Sequence, residues 1–269
     1  MRNWYKYFFS DKKETDFNDR FLFTNHQLLN NKQNFKDVFS FENLKQDIVL
    51  FKQYNFLRNN LDANKKVLFV GSSWGVSEFF LKDEFKITAS DIEDEYVKFH
   101  KNNTNLNYIK LDILNLKNQN FKYEQIVINN IEYLFDNNEF KRLIQNISKI
   151  SKPETKIFII FRSRDGFLIK LIDQILLPIE TYFVYLIKRV FKKVYFLRGH
   201  HGFRRNLQEF KKLWVENNFE YQSIHEDLYQ IDYQRLRVVQ NSKIINFLCG
   251  IFLKSNPYLN ILTFQKSKK

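Results

Sequence analysis

The chain has 269 residues, of which 44% are hydrophobic and 17% aromatic, so it can bury a core and is not a disordered protein. Its single cysteine excludes an intrachain disulfide, which fits a reducing, cytoplasmic location. We find neither a signal peptide nor an apolar run long enough to span a bilayer. The net charge of +13 is compatible with an anionic partner, such as nucleic acid or a membrane surface, but we prefer a biased composition as its explanation over a general nucleic-acid function.

The first half of the chain alternates between strand and helix patterns. An N-terminal helical segment is predicted for residues 1–60, with one helix from Phe41 to Leu61. Strands are then predicted at Val67–Val70, Phe85–Ala89, Leu106–Leu111, Glu124–Asn129 and Lys156–Phe161. Helices are predicted between them at Val76–Leu81, Glu93–Lys101 and Asn138–Ile150. This alternation predicts a parallel sheet with right-handed crossovers.

A long apolar pattern follows the fifth predicted strand. From Phe167 to Val194, apolar residues recur at spacings of three or four, which predicts helical structure with a break or kink at Pro178. Asn206 is the predicted N-cap of a helix that ends at Asn217. The pattern divides the chain into an N-terminal segment, a core, an inserted helical cap and a C-terminal completion of the sheet: 1–60, 61–162, 163–205 and 206–269. The last part holds two predicted strands, Phe219–Ile224 and Leu259–Gln265.

The most informative stretch follows the first predicted strand. Gly71 and Gly75 are two of only six glycines, and they stand four residues apart between an apolar strand and a helix. Glycine lets a ligand approach the backbone, and the helix N-terminus offers free N–H groups. Asp91 and Asp112 follow the next two strands, at the sheet edge where open α/β folds bind ligands. The alternatives are an ordinary turn at the glycines and a helix cap or surface acid at each aspartate.

These motifs resemble a class I S-adenosylmethionine-dependent methyltransferase. The resemblance covers residues 65–161 well and the C-terminal part loosely. It is carried by a glycine turn after the first strand, acids after the second and third strands, the fourth strand, a pocket-lining segment and the entry to a late helix: Val67–Gly75, Ser90–Ile92, Lys110–Ile113, Phe121–Asn129, Ile131–Leu134 and Arg198–Asn206. The resemblance implies an α/β, Rossmann-like, doubly wound and mostly parallel seven-stranded sheet whose last strand is antiparallel.

The resemblance also implies S-adenosylmethionine as cofactor and assigns residues to it. The implied cofactor-binding residues are Gly71, Ser72, Ser73 and Gly75 at the turn, Asp91 and Ile92 near the ribose, Asp112 and Ile113 near the adenine, and Asn129 near the sulfonium. The implied acceptor pocket contains Glu132, Tyr133 and Arg198. His200 and His201 are the candidate general bases, because histidine titrates near neutral pH; a polar loop before a helix is the alternative. No metal site is expected.

Two positions depart from the family's first motif. Ser73 replaces the middle glycine, and Phe69 stands where the family usually has an acid. These departures motivate an alternative function, a methyltransferase-like binding module without catalysis that contacts membranes peripherally. The acids at Asp91 and Asp112 are kept, and they still favour cofactor binding.

A basic stretch bears on the acceptor. From Lys188 to Arg205 there are seven lysines and arginines and no acid, next to an apolar face. Such a segment covers a pocket as a lid, lies on an anionic membrane surface, or binds nucleic acid. The aromatic residues here fall at helical spacing, which argues for packing and against base stacking. We therefore expect a small-molecule, glycan or lipid-linked acceptor before an RNA.

Overall fold

The computed structural model describes residues 39–46, 48–116, 122–162, 205–228 and 259–268. The helices are α1 (Phe41–Gln46), α2 (Ile48–Asn60), α3 (Val76–Leu81), α4 (Asp94–Asn103), α5 (Asn137–Ile150) and α6 (Leu207–Val215). The strands are β1 (Lys66–Val70), β2 (Lys86–Asp91), β3 (Tyr108–Lys110), β4 (Tyr123–Asn129), β5 (Ser151–Arg162), β6 (Phe219–Leu228) and β7 (Leu259–Lys266). A short 3-10 helix, Glu132–Leu134, follows β4.

The seven strands form one sheet in the order β3-β2-β1-β4-β5-β7-β6. Strands β1 to β5 pair in parallel, whereas β7 is antiparallel to both β5 and β6. This topology confirms the predicted α/β, Rossmann-like, mostly parallel sheet and its antiparallel last strand. Because β1 pairs with β2 on one side and with β4 on the other, the strand order reverses at β1, and the loop after β1 lies where such sheets bind ligands.

Strand β1 is buried on both faces, as parallel strands covered by helices are. Val67 and Phe69 pack into the cluster that includes residues of α1 to α4, and Leu68 and Val70 pack into the cluster of α5 and α6. Phe69, which stands where the family usually has an acid, is only 1% exposed and serves the apolar core.

Several predicted boundaries were wrong, and strand pairing explains the largest differences. The predicted third strand of six residues is reduced to Tyr108–Lys110, because β3 lies at the sheet edge and pairs only with the last three residues of β2. Strand β2 extends to Asp91 instead of ending at Ala89. Strand β5 begins at Ser151 instead of Lys156, with a register shift where it meets β4.

The helices were predicted more closely. The helix predicted for residues 41–61 is resolved as α1 and α2, and α5 begins one residue early, at Asn137. Asn206 is the N-cap of α6, as predicted, and its side chain accepts the N–H of Glu209 at 2.7 Å. None of the helices in the described ranges has the length and apolar character needed to cross a bilayer.

Candidate functional site

The loop from Gly71 to Gly75 turns sharply over the end of β2. The N–H groups of Gly71 and Ser72 both donate to the carbonyl of Ser90, at 3.0 and 2.9 Å. Both glycines have positive φ, 76° and 61°. A Cβ at Gly71 would overlap Cγ2 of Ile131, which lies just after β4. Gly71 is therefore required by the backbone conformation and by the close packing of the segment after β4.

Ser73 lies at the centre of this loop with φ of 49°, a conformation that is strained for residues other than glycine. Its hydroxyl donates to the hydroxyl of Tyr96 at 3.1 Å. Its carbonyl accepts from the hydroxyl of Tyr108 at 2.7 Å. The side chain that replaces the family's middle glycine is thus held by α4, and hydrogen bonds offset part of the backbone strain.

Asp91 connects the loop to the end of β2. Its carboxylate accepts the N–H of Ser73 at 2.9 Å and that of Glu93 at 3.3 Å. Burial raises the pKa of Asp91, and these backbone donors oppose the rise. A carboxylate has about four acceptor positions, so Asp91 can also accept hydrogen bonds from ligand hydroxyls. Beside it, Ile92 is 53% exposed, so an apolar surface lies next to an acceptor.

Asp112 and Ile113 follow β3 but take part in local structure. The carboxylate of Asp112 accepts the N–H groups of Leu114 and Asn115 at 3.0 and 3.3 Å, and the side-chain amide of Asn115 at 2.7 Å. Ile113 is buried in the core, and its carbonyl accepts from Asn146 at 2.8 Å. Asp112 therefore caps a local turn, and the adenine contacts of both residues stay predictions.

The segment after β4 places a residue at the site that the sequence did not indicate. Asn129, the predicted contact of the sulfonium, ends β4 and pairs with Ile160. The next residue, Asn130, has φ of 53°, and its buried Oδ1 has no hydrogen-bond partner within the described residues. Strain and an unpaired acceptor together are typical of a functional position. The only sequence signal for Asn130 is its place between the predicted strand and Ile131.

Arg205 anchors this same segment from the beginning of α6. Its side chain is 3% exposed and lies over the ring of Phe140 at 4.2 Å. It donates to the carbonyls of Glu132, Phe135 and Asp136 and to Oδ1 of Asn137, at 2.9 to 3.2 Å. Burial lowers the pKa of Arg205, and the charge of Glu132 opposes that effect. Glu132, a predicted pocket residue, is thereby fixed to Arg205, the last residue of the predicted cap.

A buried, neutral histidine forms a hydrogen bond with the backbone of the Gly71–Gly75 loop. His100 is fully buried and stacks on Tyr108 at 4.6 Å. Because a carbonyl only accepts, its Nε2 donates to Trp74 O at 3.0 Å, and Nδ1 accepts from the Thr104 hydroxyl at 2.9 Å. Burial lowers the pKa of His100 from 6.5 to about 4.

We expect acid to destabilise the protein through His100. Between pH 6.5 and about 4 the unfolded chain binds a proton at this histidine and the folded chain does not. The free energy of unfolding should therefore fall by up to about 3 kcal/mol as the pH is lowered through this window. His100→Gln, which keeps a donor for Trp74, should flatten this part of the stability profile in urea unfolding. His225→Gln, at an exposed histidine, is the control, and an equal effect of the two changes would contradict the prediction.

Some predicted residues cannot be placed. His200, His201 and Arg198, the candidate bases and one pocket residue, lie outside the described residues, as does the cap up to residue 204. Of Tyr133 only the backbone is described, within the 3-10 helix after β4. Across the described ranges, no three His, Cys, Asp or Glu side chains converge as a metal site.

No protein-family model matches the sequence, and no curated protein matches it either. Solved structures do match. PKMT2 from Rickettsia typhi in complex with AdoHcy aligns with a TM-score of 0.51 and 12% identity over 76% of this chain and 49% of its own. A SAM-dependent methyltransferase from Methanosarcina mazei aligns with a TM-score of 0.52 and 13% identity, covering 80% of this chain and 98% of its own. The magnesium protoporphyrin IX methyltransferase of Synechocystis, with bound SAH, aligns with a TM-score of 0.51 and 14% identity, covering 83% of this chain and 84% of its own.

The fold is that of the class I S-adenosylmethionine-dependent methyltransferases. This confirms the fold implied by the sequence motifs, although the chain spans about half the length of the Rickettsia protein. At such low identities the similarity establishes the fold, and the reaction has to be argued from the residues.

The residues at the sheet edge fit an S-adenosyl ligand. Asp91 has acceptor positions to spare, and Ile92 presents an apolar surface. Within the described residues, Oδ1 of Asn130 and Oε1 of Glu78 are buried acceptors without a hydrogen-bond partner. A nucleoside that carries hydroxyl and ammonium donors has the groups that such acceptors require.

Proposed function

We propose that the protein is an S-adenosylmethionine-dependent methyltransferase that acts on a small-molecule, glycan or lipid-linked acceptor. The observation that carries the proposal is the position of Asp91 and Ile92 beside the Gly71–Gly75 loop, at the switch point of a methyltransferase fold. The name of the Synechocystis neighbour gives a porphyrin as its substrate, which supports a small-molecule acceptor here.

The residues have distinct roles in this proposal. The bound cofactor supplies an electrophilic methyl group on its sulfonium. Asp91 accepts from the ribose hydroxyls, Ile92 covers one face of the base, and Asn130 accepts a donor at the methionine end. Transfer by in-line displacement depends mainly on holding the acceptor in position. His200 or His201 would remove a proton from a hydroxyl acceptor, and a deprotonated acceptor needs no base.

Replacing Asp91 with alanine should weaken the binding of S-adenosylmethionine about 10- to 100-fold. The change removes hydrogen bonds to a charged acceptor, which are worth about 1.5–3 kcal/mol. Isothermal titration with S-adenosylmethionine and S-adenosylhomocysteine measures the loss. Asp94→Asn is the matched control, because Asp94 is an exposed acid of the same region that pairs with Lys110. If neither ligand binds the unmodified protein at millimolar concentration, the proposed function is wrong.

Ile92→Ser should weaken the binding of both ligands about tenfold and leave the stability unchanged. The exposed side chain gains burial only when a flat apolar group covers it, so its loss affects the complex and not the free protein. Val215→Ser is the control, because Val215 is 54% exposed on α6, away from the loop. Equal affinities of the Ile92 and Val215 variants would show that the base does not lie on Ile92.

The acceptor class can be tested without knowing the acceptor. The protein is incubated with cell extract and S-adenosylmethionine labelled in the methyl group, and the label is then measured in small-molecule, lipid, glycan and RNA fractions. We expect label in one of the first three fractions and, at a cofactor concentration below saturation, much less label with Asp91→Ala. Label in RNA would favour a nucleic-acid methyltransferase, and tight cofactor binding without any transfer would favour the non-catalytic module.

A further inference from the structure

Glu78 is a buried acid on the helix that directly follows the Gly71–Gly75 loop, which we call the glycine loop. It lies on α3, one turn after Gly75, and is 1% exposed. The Ser72 hydroxyl and the backbone N–H of Glu78 lower its pKa and so favour its ionised form. The Oε1 atom of Glu78 has no hydrogen-bond partner within the described residues. Burying a carboxyl oxygen without a hydrogen-bond partner lowers the stability of the fold, so such a group in a folded protein often has a functional role.

Among the described residues, no positive charge is among the causes that shift the pKa of Glu78. From β2, the charge of Asp91 disfavours ionisation of Glu78. From β3, the pKa of Tyr108 is raised first by burial and then by the charges of Asp91 and Glu78. From α4, the hydroxyl of Tyr96 contacts the loop, and His100 is neutral. Burial is the largest cause that raises the pKa of Glu78, which reaches about 7.

Glu78 and Asp91 are both held against the loop that the proposed function assigns to the cofactor. Ser72 favours the ionised form of Glu78, and its hydroxyl accepts the N–H of Ser90 at 3.4 Å. Asp91 contacts the N–H of Ser73. A cation placed on this loop would favour the ionised form of both acids, and the low dielectric of the interior strengthens that effect.

We propose that Glu78, together with Asp91, selects the cationic cofactor over its neutral product, so that S-adenosylmethionine binds with release of a proton from Glu78. This inference rests on the proposed function. S-adenosylmethionine carries one more positive charge than S-adenosylhomocysteine, because its sulfur is a sulfonium. The proton leaves the Glu78 carboxyl for solvent, and no other bond changes. After methyl transfer the sulfonium charge is gone, Glu78 takes up a proton again, and the product is held less tightly.

The test is isothermal titration at pH 7 in buffers of different ionisation enthalpy, with S-adenosylmethionine and then S-adenosylhomocysteine. We expect release of about half a proton with the first ligand and clearly less with the second. The ratio of the two affinities should rise up to about tenfold from pH 6 to pH 8. Glu78→Gln should abolish both effects. Glu84→Gln, at an exposed acid that pairs with Arg58, should leave them intact.

A second variant covers the case in which Glu78→Gln does not fold. The Ser72 hydroxyl lowers the pKa of Glu78, so Ser72→Ala should move the midpoint of the pH dependence upward. Equal proton release with the two ligands, or an unchanged midpoint in Ser72→Ala, would overturn the inference while leaving the proposed function intact. Absence of binding by either ligand would overturn both.

Discussion

Arg205→Met is expected to lower the free energy of unfolding by about 3–5 kcal/mol. The change removes the donor for one buried and two partly buried carbonyls and for the Asn137 side chain, each at 3.2 Å or less. Leaving a buried acceptor without a donor costs about 1–3 kcal/mol, and the packing on Phe140 is lost as well. Urea unfolding, read from the midpoint at constant m-value, measures the change.

Two companion variants of Arg205→Met separate a specific role from a general loss of charge. Arg205→Lys should recover only part of the stability, because one ammonium group cannot replace a planar fork that reaches four acceptors. Lys212→Met removes an exposed cation of α6 that lies 3.7 Å from Glu216, and it should cost less than about 0.5 kcal/mol. If Arg205→Met were as stable as Lys212→Met, the anchoring of the segment after β4 would not depend on Arg205.

Gly71→Ala is expected to lower the free energy of unfolding by about 2–4 kcal/mol and to weaken cofactor binding. The backbone at Gly71 has φ of 76°, where alanine costs about 1–2 kcal/mol. The added methyl would also overlap the Ile131 side chain, and overpacking of this kind costs about 1–3 kcal/mol. Because Ile131 follows Asn130, its displacement should disturb the proposed binding of the methionine end. Urea unfolding and ligand titration measure the two effects.

A double-mutant cycle distinguishes strain from overlap in Gly71→Ala. Ile131→Ala removes the overlapping methyl, so Gly71→Ala should cost less in that background, by at least about 1 kcal/mol. Gly75→Ala is the matched comparison, since φ there is 61° and the nearest atoms to an added Cβ are 3.2 Å or more away. Strictly additive effects of Gly71→Ala and Ile131→Ala would show that the two residues do not compete for the same space.

The elements that were predicted well are those whose own residues carry a clear hydrophobic pattern, either an unbroken apolar run or a regular amphipathic repeat. Strand β1 reads as an apolar run because both of its faces are covered, and α5 reads as an amphipathic helix with one buried face. The edge strand β3 was predicted too long, because its length is decided by its pairing with β2 and not by its own residues. The early start of β5 has the same origin, in its pairing with β4.

The candidate site was predictable only in part. Asp91 was named because an acid after a buried strand can be placed from the order of elements alone. Asp112 was named on the same basis, yet its carboxylate is engaged by Leu114 and Asn115. Glu78 gave no signal, because an acid one turn into a helix is usually exposed, and only the packing of α3 against the sheet buries it.

By itself the sequence determined the class of fold, the place of the Gly71–Gly75 loop and the acid at the end of β2, because these depend on strand order and on the conformational freedom of glycine. The tertiary structure decided which polar groups are buried from solvent and which of them have no hydrogen-bond partner within the described residues. It buried Glu78 beneath the loop, fixed the segment after β4 through Arg205, and brought Ile131 against Gly71. Burial, charge proximity and close contact arise between elements far apart in the chain, and for this reason the electrostatics of the site emerge only from the folded protein.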